Sequence, residues 1–450
     1  MRSFFKSVKF EEGNAGGEFY QPFVRSARDK NMERIGLRGI RGDLVFVDAE
    51  AGFDEIVRVR GDGAPRIGRV IYAGEDFSTV LVFEGTRGLG LEEASVRFSG
   101  KPLKMRVSEE ILGREFDGLG RPRDGLGEIF GGETQEISGA PMNPVTRVYP
   151  HEYIHTGFSA IDALCTIVRG QKLPIFSADG LPHDRLAAAI ATQSGCDAVI
   201  FAAMGIQHDT ADFFRRTFIE SGRFEQTVLF LNMADDPPAE RVATPRFALT
   251  AAEFLAFRLG YHVLVILTDM TAYAEAVREI SSSRGEIPGR KGFPGYMYSD
   301  FASIYERAGV RAGAPGSITQ IPILTMPAED ITHPIPDLTG YITEGQIVLC
   351  RELHQKGIFP PINVLTSLSR LMKDVIARPH AEVAAKLFAR YAEAQDARAL
   401  AAVISEEDLS PRDKKILQFA NEFEEIFLCQ KDFESRTLEE TLKIAAKLLA

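Results

Sequence analysis

The sequence Phe176-Ser-Ala-Asp-Gly-Leu-Pro-His-Asp184 joins an apolar run, Leu173–Phe176, to a stretch with helical spacing, Asp184–Gln193, in a chain of 450 residues. This pattern is typical of a buried strand that turns directly into a helix. Further apolar runs are Ala198–Ala202, Thr227–Leu231, Val263–Leu267 and Ile318–Leu324, and helical stretches between them include Thr210–Glu220, Ala248–Leu259 and Thr271–Ser282. The alternation predicts a parallel sheet with helices on both faces, whose ligands bind at the carboxyl ends of the strands.

The loop 176–184 stands where a phosphate-binding P-loop would be, but it lacks most of the groups that such a loop uses. A P-loop, G-x-x-x-x-G-K-[ST], needs glycines that bare backbone N–H groups, a lysine for the terminal phosphates and a hydroxyl for Mg²⁺. Only Gly180 remains here; His183 and Asp184 replace the lysine and the hydroxyl residue, and Pro182 removes an N–H. We interpret Gly180, His183 and Asp184 as a degenerate P-loop with weak or vestigial nucleotide binding, or as a purely structural turn.

The rest of the chain predicts two further domains and an arm, so that the fold class is multi-domain α/β. Residues 1–33 form an N-terminal arm, and residues 34–106, with short β-type runs about every ten residues, form a small antiparallel β-barrel. Residues 107–357 comprise a Gly- and Pro-rich connecting region and the α/β domain. All 40 glycines lie at or before Gly357. Residues 358–450 therefore avoid tight turns and predict a helical C-terminal domain.

Composition excludes several classes of function. The chain has 52 basic and 63 acidic residues, a net charge of −11, and no basic stripe, so we expect no nucleic-acid partner bound over its surface. The longest apolar run, Ala198–Ile206, is far shorter than the roughly 18–20 residues of a spanning helix, so we expect no direct membrane insertion. Four widely separated cysteines have no metal-ligand spacing and fit a reducing cytoplasm.

Two other motifs suggest metal sites, and each has a structural alternative. The run His262-Val-Leu-Val-Ile-Leu-Thr-Asp269 resembles a Walker B strand, whose Asp binds Mg²⁺, but such an Asp also caps helices. His151-Glu-Tyr-Ile-His155 matches the zinc signature H-E-x-x-H, which requires a sustained helix. Pro150 and Gly157 flank this motif, and no third ligand is indicated. We predict no metal site and expect packed or exposed histidines instead.

Arg370 is the other candidate site residue. It lies in Ser367-Leu-Ser-Arg-Leu-Met-Lys373, which follows Pro360-Pro-Ile-Asn-Val-Leu365 at the junction with the helical domain. A single Arg at such a junction is usually an ordinary ion-pair partner. The alternative is an arginine finger, a guanidinium that crosses an interface to stabilise charge on a transferring phosphoryl group.

Long motifs give the chain a specific resemblance from about Arg34 to its C-terminus. It closely resembles the non-catalytic B subunits, or beta chains, of V-type and A-type rotary ATPases. The motifs are Leu81-Val-Phe-Glu-Gly-Thr-Arg-Gly88, Leu112-Gly-Arg-Glu-Phe-Asp-Gly-Leu-Gly-Arg-Pro122, Arg169-Gly-Gln-Lys-Leu-Pro-Ile-Phe176, Glu286-Ile-Pro-Gly-Arg-Lys-Gly-Phe-Pro-Gly-Tyr-Met-Tyr298, Ile321-Pro-Ile-Leu-Thr-Met-Pro327 and Asp330-Ile-Thr-His-Pro-Ile-Pro-Asp-Leu-Thr-Gly-Tyr-Ile-Thr-Glu-Gly-Gln346.

The resemblance implies a β-barrel, a RecA-like α/β domain and a helical C-terminal domain. It implies a regulatory subunit that alternates with catalytic A subunits, three of each, and that contacts central-stalk and peripheral-stalk subunits. ATP or ADP would lie at the interface with the A subunit, with Mg²⁺ held by that partner, and Arg370 matches the family's arginine finger. The sequence departs from the family at Thr366, where proline is usual, and in residues 1–33.

The resulting hypothesis is a non-catalytic subunit of a V/A-type ATP synthase or ATPase, cytoplasmic and attached to the membrane through the assembled complex. It would couple ATP synthesis or hydrolysis to transport of H⁺ or Na⁺, with no complete catalytic site of its own. The alternative is a stand-alone RecA-like ATPase with an N-terminal nucleic-acid-binding barrel. That function would require ATP hydrolysis by this chain alone, which the replacements at His183 and Asp184 disfavour.

Overall fold

A computed structural model describes residues 33–402 and 410–450 of the chain. The predicted N-terminal arm lies outside the described residues except for Glu33, which begins the first strand. Within the two described ranges, none of the helices combines the length and apolarity needed to span a bilayer.

The N-terminal part is an antiparallel half-barrel of seven strands. These are β1 (Glu33–Ile35), β2 (Gly39–Arg41), β3 (Leu44–Val47), β4 (Glu55–Arg60), β5 (Arg66–Ala73), β6 (Ser78–Val82) and β7 (Ser95–Pro102), in the order β1-β7-β4-β5-β6-β3-β2. β4 shows why they form: Val57 and Val59 are buried, whereas Arg58 and Arg60 face solvent. Alternation with period two is the signature of a half-buried strand, and it confirms the predicted N-terminal antiparallel β-structure.

Short strands separate the half-barrel from the central sheet. They are β8 (Lys104–Val107), β9 (Glu115–Asp117), β10 (Glu133–Glu136), β11 (Arg147–Val148), β12 (Tyr153–Ile154) and β13 (Ile167–Val168). β8 pairs with β10, β12 pairs with β13, and β9 joins the edge of the central sheet beside a longer strand. Short strands therefore occur in the Gly- and Pro-rich region that follows the half-barrel.

The central sheet contains all five predicted apolar runs as strands. Besides β9 and β11, its members are β14 (Ile175–Ser177), β15 (Ala198–Ile206), β16 (Thr227–Met233), β17 (His262–Thr268), β18 (Gly309–Arg311), β19 (Ser317–Thr325), β20 (Gly345–Val348) and β21 (Leu368–Ser369). The main order is β21-β20-β14-β19-β17-β15-β16-β9. The inner pairs are parallel, while β21 runs antiparallel to β20 at one edge.

Helices cover both faces of this sheet, as predicted. They are α1 (Ser159–Leu164), α2 (His183–Gln193), α3 (His208–Glu220), α4 (Pro238–Phe257), α5 (Met270–Arg284), α6 (Met297–Tyr305), α7 (Pro334–Ile342) and α8 (Arg351–Gln355). In β15, Val199 and Phe201 pack with α2 and α3, whereas Ala198 and Ile200 pack with α4 and α5. α4 begins ten residues before the predicted Ala248, since its Pro238 occupies the first turn, where proline is tolerated.

The C-terminal part is helical, as the absence of glycine predicts. Its helices are α9 (Arg378–Ala401), α10 (Pro411–Glu422) and α11 (Leu438–Leu449), and a π-helical segment, Phe423–Leu428, continues α10. Single-turn 3-10 helices elsewhere cover Glu109–Ile111, Pro144–Thr146, Phe224–Gln226, Arg290–Gly292, Pro327–Glu329 and Met372–Asp374. One apolar core extends from α2 and α3 into α9 and α10, and the domain boundaries given above remain predictions.

A buried ion pair fixes the connecting region to α4. The fully buried Arg307 donates to both carboxylate oxygens of Glu253, from Nε at 2.7 Å and from Nη2 at 2.8 Å. Its Nη1 donates to the carbonyl of Ile137 at 3.2 Å. A glycine is needed at Gly139, because a Cβ there would lie 2.4 Å from the guanidinium carbon of Arg307.

We expect Glu253→Ala to lower the free energy of unfolding by about 3 kcal/mol, because it leaves the buried guanidinium without a counter-charge. Denaturant unfolding of the isolated chain, followed by circular dichroism, measures the loss. Glu382→Ala is the matched control: it breaks an exposed ion pair with Arg378 and is expected to cost less than about 1 kcal/mol. Equal losses would contradict the role given to the buried pair.

Candidate functional site

Arg370 directly follows β21, the edge strand of the central sheet. β21 pairs with β20 so that Ser369 lies opposite Gly345. Along this segment Ser367 and Ser369 are buried, whereas Leu368 and Arg370 are exposed. The alternation buries the side chains of Ser367 and Ser369 and places those of Leu368 and Arg370 on the surface.

Hydrogen bonds around Asn363 fix the loop that leads into β21. Asn363 Oδ1 accepts from the N–H of Leu365 at 3.1 Å, and the Asn363 carbonyl accepts from the N–H of Ser367 at 3.1 Å. Ser367 Oγ also donates to that carbonyl at 2.7 Å and accepts from the N–H of Val348 at 2.9 Å. Thr366 adds a bond from its hydroxyl to the same carbonyl at 3.4 Å. Side-chain hydrogen bonds thus constrain the loop although it lacks the proline of the resembled family.

The main chain of Arg370 is held, but its charge is not neutralised by the residues described. Its N–H donates to the carbonyl of Glu344 at 2.9 Å. Nη1 reaches only the carbonyl of Thr343, at 3.5 Å, the outer limit of a hydrogen bond. Within residues 33–402 and 410–450 the guanidinium forms no ion pair with a carboxylate. This geometry leaves a fixed, exposed cation that can bind an anion on another molecule.

The degenerate P-loop has the strand–turn–helix geometry expected of a P-loop, without its chemistry. It connects β14 to α2, and Gly180 takes a left-handed conformation, with φ of 77°, at an exposed tip. A Cβ at Gly180 would meet no atom within 4 Å, so the backbone conformation, and not crowding, favours glycine here. Pro182 stands at the N-cap and supplies no side-chain cap.

Local interactions occupy the polar side chains at the start of α2. His183 Nδ1 lies 3.0 Å from Ser177 Oγ, so each of these side chains has a partner within the loop. Burial raises the pKa of Asp184, the charge of His183 opposes this rise, and the nearby Asp269 adds to it. With no lysine and with Asp184 in the first turn, the loop does not fit a phosphate-bound Mg²⁺ held in the P-loop manner.

Arg351 contacts this loop from α8, and the sequence analysis missed it. Its Nη2 donates to the carbonyl of Asp179 at 2.8 Å, and its Nε donates to Glu329. It begins α8, just after the carboxyl end of β20, where sites occur in parallel sheets. β20 is only four residues long and was not predicted, although the apolar run Ile347-Val-Leu-Cys350 could have indicated it.

Arg370 and the degenerate P-loop are not brought together. β14 and β20 are parallel neighbours, with Ile175 opposite Ile347. The loop follows the carboxyl end of β14, whereas Arg370 follows the residue opposite Gly345, at the amino end of β20. The two predicted sites therefore lie beyond opposite ends of adjacent strands, and Arg370 is not directed at the chain's own loop.

The Walker B-like Asp269 is a helix cap. Its Oδ1 accepts from the N–H of Thr271 at 2.7 Å, at the start of α5, and from the N–H of Thr325 at 3.2 Å. Among the described residues, no group of three or more His, Cys, Asp or Glu side chains is placed to hold a metal ion. Asp269 thus takes the structural alternative that the sequence analysis left open.

The H-E-x-x-H motif runs through β12 and irregular flanking residues, so it lacks the helix that its zinc chemistry requires. His155 Nδ1 lies 2.8 Å from Oδ2 of the buried Asp162, and this hydrogen bond raises the pKa of His155. His151 packs beside the ring of Tyr149. The two histidines therefore have separate structural partners.

Comparisons with known proteins agree with this architecture. Residues 157–369 match the ATP synthase alpha/beta family, nucleotide-binding domain, and residues 369–450 match the C-terminal domain of V and A type ATP synthase.

Two relatives cover almost the whole chain. The V-type ATP synthase beta chain of Thermotoga neapolitana is 54% identical over 431 residues, 93% of this chain and 94% of that protein. The B subunit of the A-type ATP synthase of Nitrosopumilus maritimus is 53% identical over 425 residues, 91% and 92% of the two chains. A solved structure, the ATP synthase subunit NeqB from Nanoarcheaum equitans, is 39% identical with a TM-score of 0.74 and covers 88% of this chain and 98% of its own. The chain therefore belongs to the family of B subunits, or beta chains, of V-type and A-type ATP synthases.

Proposed function

We propose that this chain is a non-catalytic, regulatory subunit that supplies Arg370 to a nucleotide held by a neighbouring catalytic subunit. The observation that carries the proposal is the placement of Arg370: an exposed guanidinium without a carboxylate partner among the described residues, on a fixed edge strand. It is also remote from the end of the sheet where the chain's own loop lies. A cation so placed can serve a nucleotide only across an interface.

The chemistry of phosphoryl transfer gives Arg370 its role. Negative charge on the transferring phosphoryl group is stabilised by preorganised cations, and a guanidinium delivered from a second subunit supplies such a charge. In this proposal the partner's P-loop holds ATP or ADP with its Mg²⁺, and Arg370 completes that site. The hydrogen bond from the Arg370 N–H to the carbonyl of Glu344 fixes the main chain from which the guanidinium extends, before the subunits assemble.

The degenerate P-loop supports the assignment of catalysis to a second kind of subunit and of a regulatory role to this chain. His183 is engaged with Ser177, and Asp184 stands where a P-loop would carry a hydroxyl. We assign Gly180, His183 and Asp184 weak or vestigial nucleotide binding and no catalysis. The match of residues 157–369 to a nucleotide-binding domain family supports this assignment, because it includes the loop.

The proposed assembly is a head of three copies of this chain alternating with three catalytic A subunits, joined to central-stalk and peripheral-stalk subunits. It would work in the cytoplasm, peripheral to the membrane, and couple ATP synthesis or hydrolysis to H⁺ or Na⁺ transport. The relatives described above are ATP synthase subunits, and they do not favour a stand-alone ATPase with a nucleic-acid-binding barrel.

We expect Arg370→Ala to lower kcat for ATP hydrolysis by about 1,000-fold or more in heads reconstituted with the catalytic subunit. Nucleotide should still bind to the catalytic subunit, as measured with a fluorescent ATP analogue, because the P-loop there is unchanged. Arg378→Ala is the matched control, since its side chain is 91% exposed and pairs with Glu382 one helical turn away. Normal turnover by the Arg370→Ala head would overturn the proposal.

We expect the isolated chain to show no ATP turnover and to bind ADP more tightly after Asp184→Asn. Removal of a carboxylate from the first turn of α2 reduces repulsion of phosphate, by about threefold or more in Kd. Because the folded pKa of Asp184 is raised, wild-type affinity should increase as pH falls through it, and the variant should lose this dependence. Calorimetric titration measures both effects.

Asp209→Asn is the control for this experiment, because Asp209 occupies the first turn of α3 and is exposed. Its Kd for ADP should equal that of the wild type. Equal Kd values for wild type and Asp184→Asn would exclude nucleotide binding at the degenerate P-loop. Sustained hydrolysis by the isolated chain would instead favour the stand-alone ATPase.

A further inference from the structure

Lys172 carries its ammonium group into the protein interior, where the side chain is only 2% exposed. Its Nζ lies 2.9 Å from Glu306 Oε1 and 2.8 Å from Glu344 Oε1. A buried ammonium ion is stable only when counter-charges replace its hydration, so Lys172 holds both carboxylates in place.

Glu344 is bound to Lys172 through its backbone as well as its side chain. Glu344 Oε2 accepts from the N–H of Lys172 at 2.8 Å, and the N–H of Glu344 donates to the carbonyl of Lys172 at 3.0 Å. These two hydrogen bonds add to the ion pair between the same residues. Lys172 therefore holds both the carboxylate and the peptide group of Glu344.

The carbonyl of Glu344 in turn holds the main chain of Arg370. It accepts from the N–H of Arg370 at 2.9 Å and from Gln171 Nε2 at 3.1 Å. Gln171 Nε2 also donates to Ser369 Oγ at 3.0 Å. Lys172 and its neighbour Gln171 thus fix the two residues that carry the exposed guanidinium outward.

Close packing of β20 on β21 makes this connection stiff. A Cβ on Gly345 would lie 2.0 Å from the carbonyl oxygen of Leu368, so the strands approach as closely as glycine allows. The φ of Gly345, 135°, is likewise one that other residues rarely adopt. Displacement of Glu344 would therefore be transmitted to Arg370.

We propose that the buried Lys172–Glu344 ion pair positions Arg370 for phosphoryl transfer on the nucleotide of the neighbouring subunit. This inference rests on the proposed function of Arg370. Lys172 and Glu344 touch no substrate; they are positioning residues that act through the main chain of Arg370. A guanidinium misplaced by even about 1 Å loses much of its effect on the transition state.

Glu306 provides a matched comparison for Glu344. It pairs with the same Lys172 Nζ at nearly the same distance, and its side chain is 33% exposed against 25% for Glu344. Its remaining carboxylate oxygen accepts from Arg147 Nη2 at 2.8 Å, on the side of the connecting region. Its contacts thus lead away from β21.

The test compares Glu344→Gln with Glu306→Gln in reconstituted heads, with Arg370→Ala measured in parallel. We expect Glu344→Gln to lower kcat for ATP hydrolysis about tenfold while KM for ATP changes less than about twofold, since binding belongs to the partner. Glu306→Gln should keep both parameters within about twofold of wild type. If the ion pairs of Lys172 only stabilised the fold, the two variants would have similar kcat and KM values.

Equal kcat values for the two glutamine variants, or a loss expressed in KM, would overturn the positioning role. If Arg370→Ala itself turns over normally, the proposed function fails, whatever Glu344→Gln does. If Arg370→Ala is inactive and Glu344→Gln is normal, only the positioning inference fails.

Lys172→Met is the second variant, in case Glu344→Gln does not assemble. It removes the same ion pair, keeps the volume apolar, and should give the same tenfold fall in kcat with unchanged KM. Assembly is checked by size-exclusion chromatography. If neither variant assembles while Glu306→Gln does, the pair serves assembly alone and the proposal is overturned.

Discussion

Helices cover both faces of the central parallel sheet, so successive residues of its inner strands are buried on opposite sides. In β15, Val199 and Phe201 belong to one core, and Ala198 and Ile200 to the other. Both faces of the sheet are therefore buried, so functional side chains lie at its ends and edges. The degenerate P-loop follows the carboxyl end of β14. Arg370 follows the edge strand β21 and lies near the amino end of β20, the neighbour of β14.

An edge strand holds a charged side chain in a fixed outward direction only if its backbone is hydrogen-bonded to groups in the interior. β21 has two residues, too few for a ladder of hydrogen bonds to hold it alone. The holding groups are buried and polar: Ser369 is tied to Gln171 and to the carbonyl of Thr166, and the next N–H is tied to Glu344. Such groups are retained in an interior only when each is paired. A satisfied polar network therefore places Arg370, and apolar packing alone does not.

The other end of the sheet shows how a phosphate site can become a structural turn. A helix N-terminus carries partial positive charge that favours an anion. Here Asp184, in the first turn of α2, supplies a carboxylate from the chain itself, and Ser177 and His183 satisfy each other. The loop thus keeps the shape of a P-loop while its polar groups bind one another.

The sequence alone was sufficient for the five inner strands, the helical C-terminal part, the loss of P-loop chemistry and the candidacy of Arg370, because these depend on local periodicity, on residue type and on long motifs. It did not predict β20, and so did not identify Arg351 just after it, because a four-residue strand is too short to show a clear hydrophobic pattern. It left the role of Asp269 open, since a helix cap and a metal ligand need the same residue type, and it did not identify Asp162 as the partner of His155. Only the tertiary structure showed that Arg370 and the loop lie at opposite ends of adjacent strands, and that Lys172 lies between Glu344 and Glu306. Lys172 and Glu344 are 172 positions apart in the chain, and contacts at such separations are set by how the sheet assembles in space.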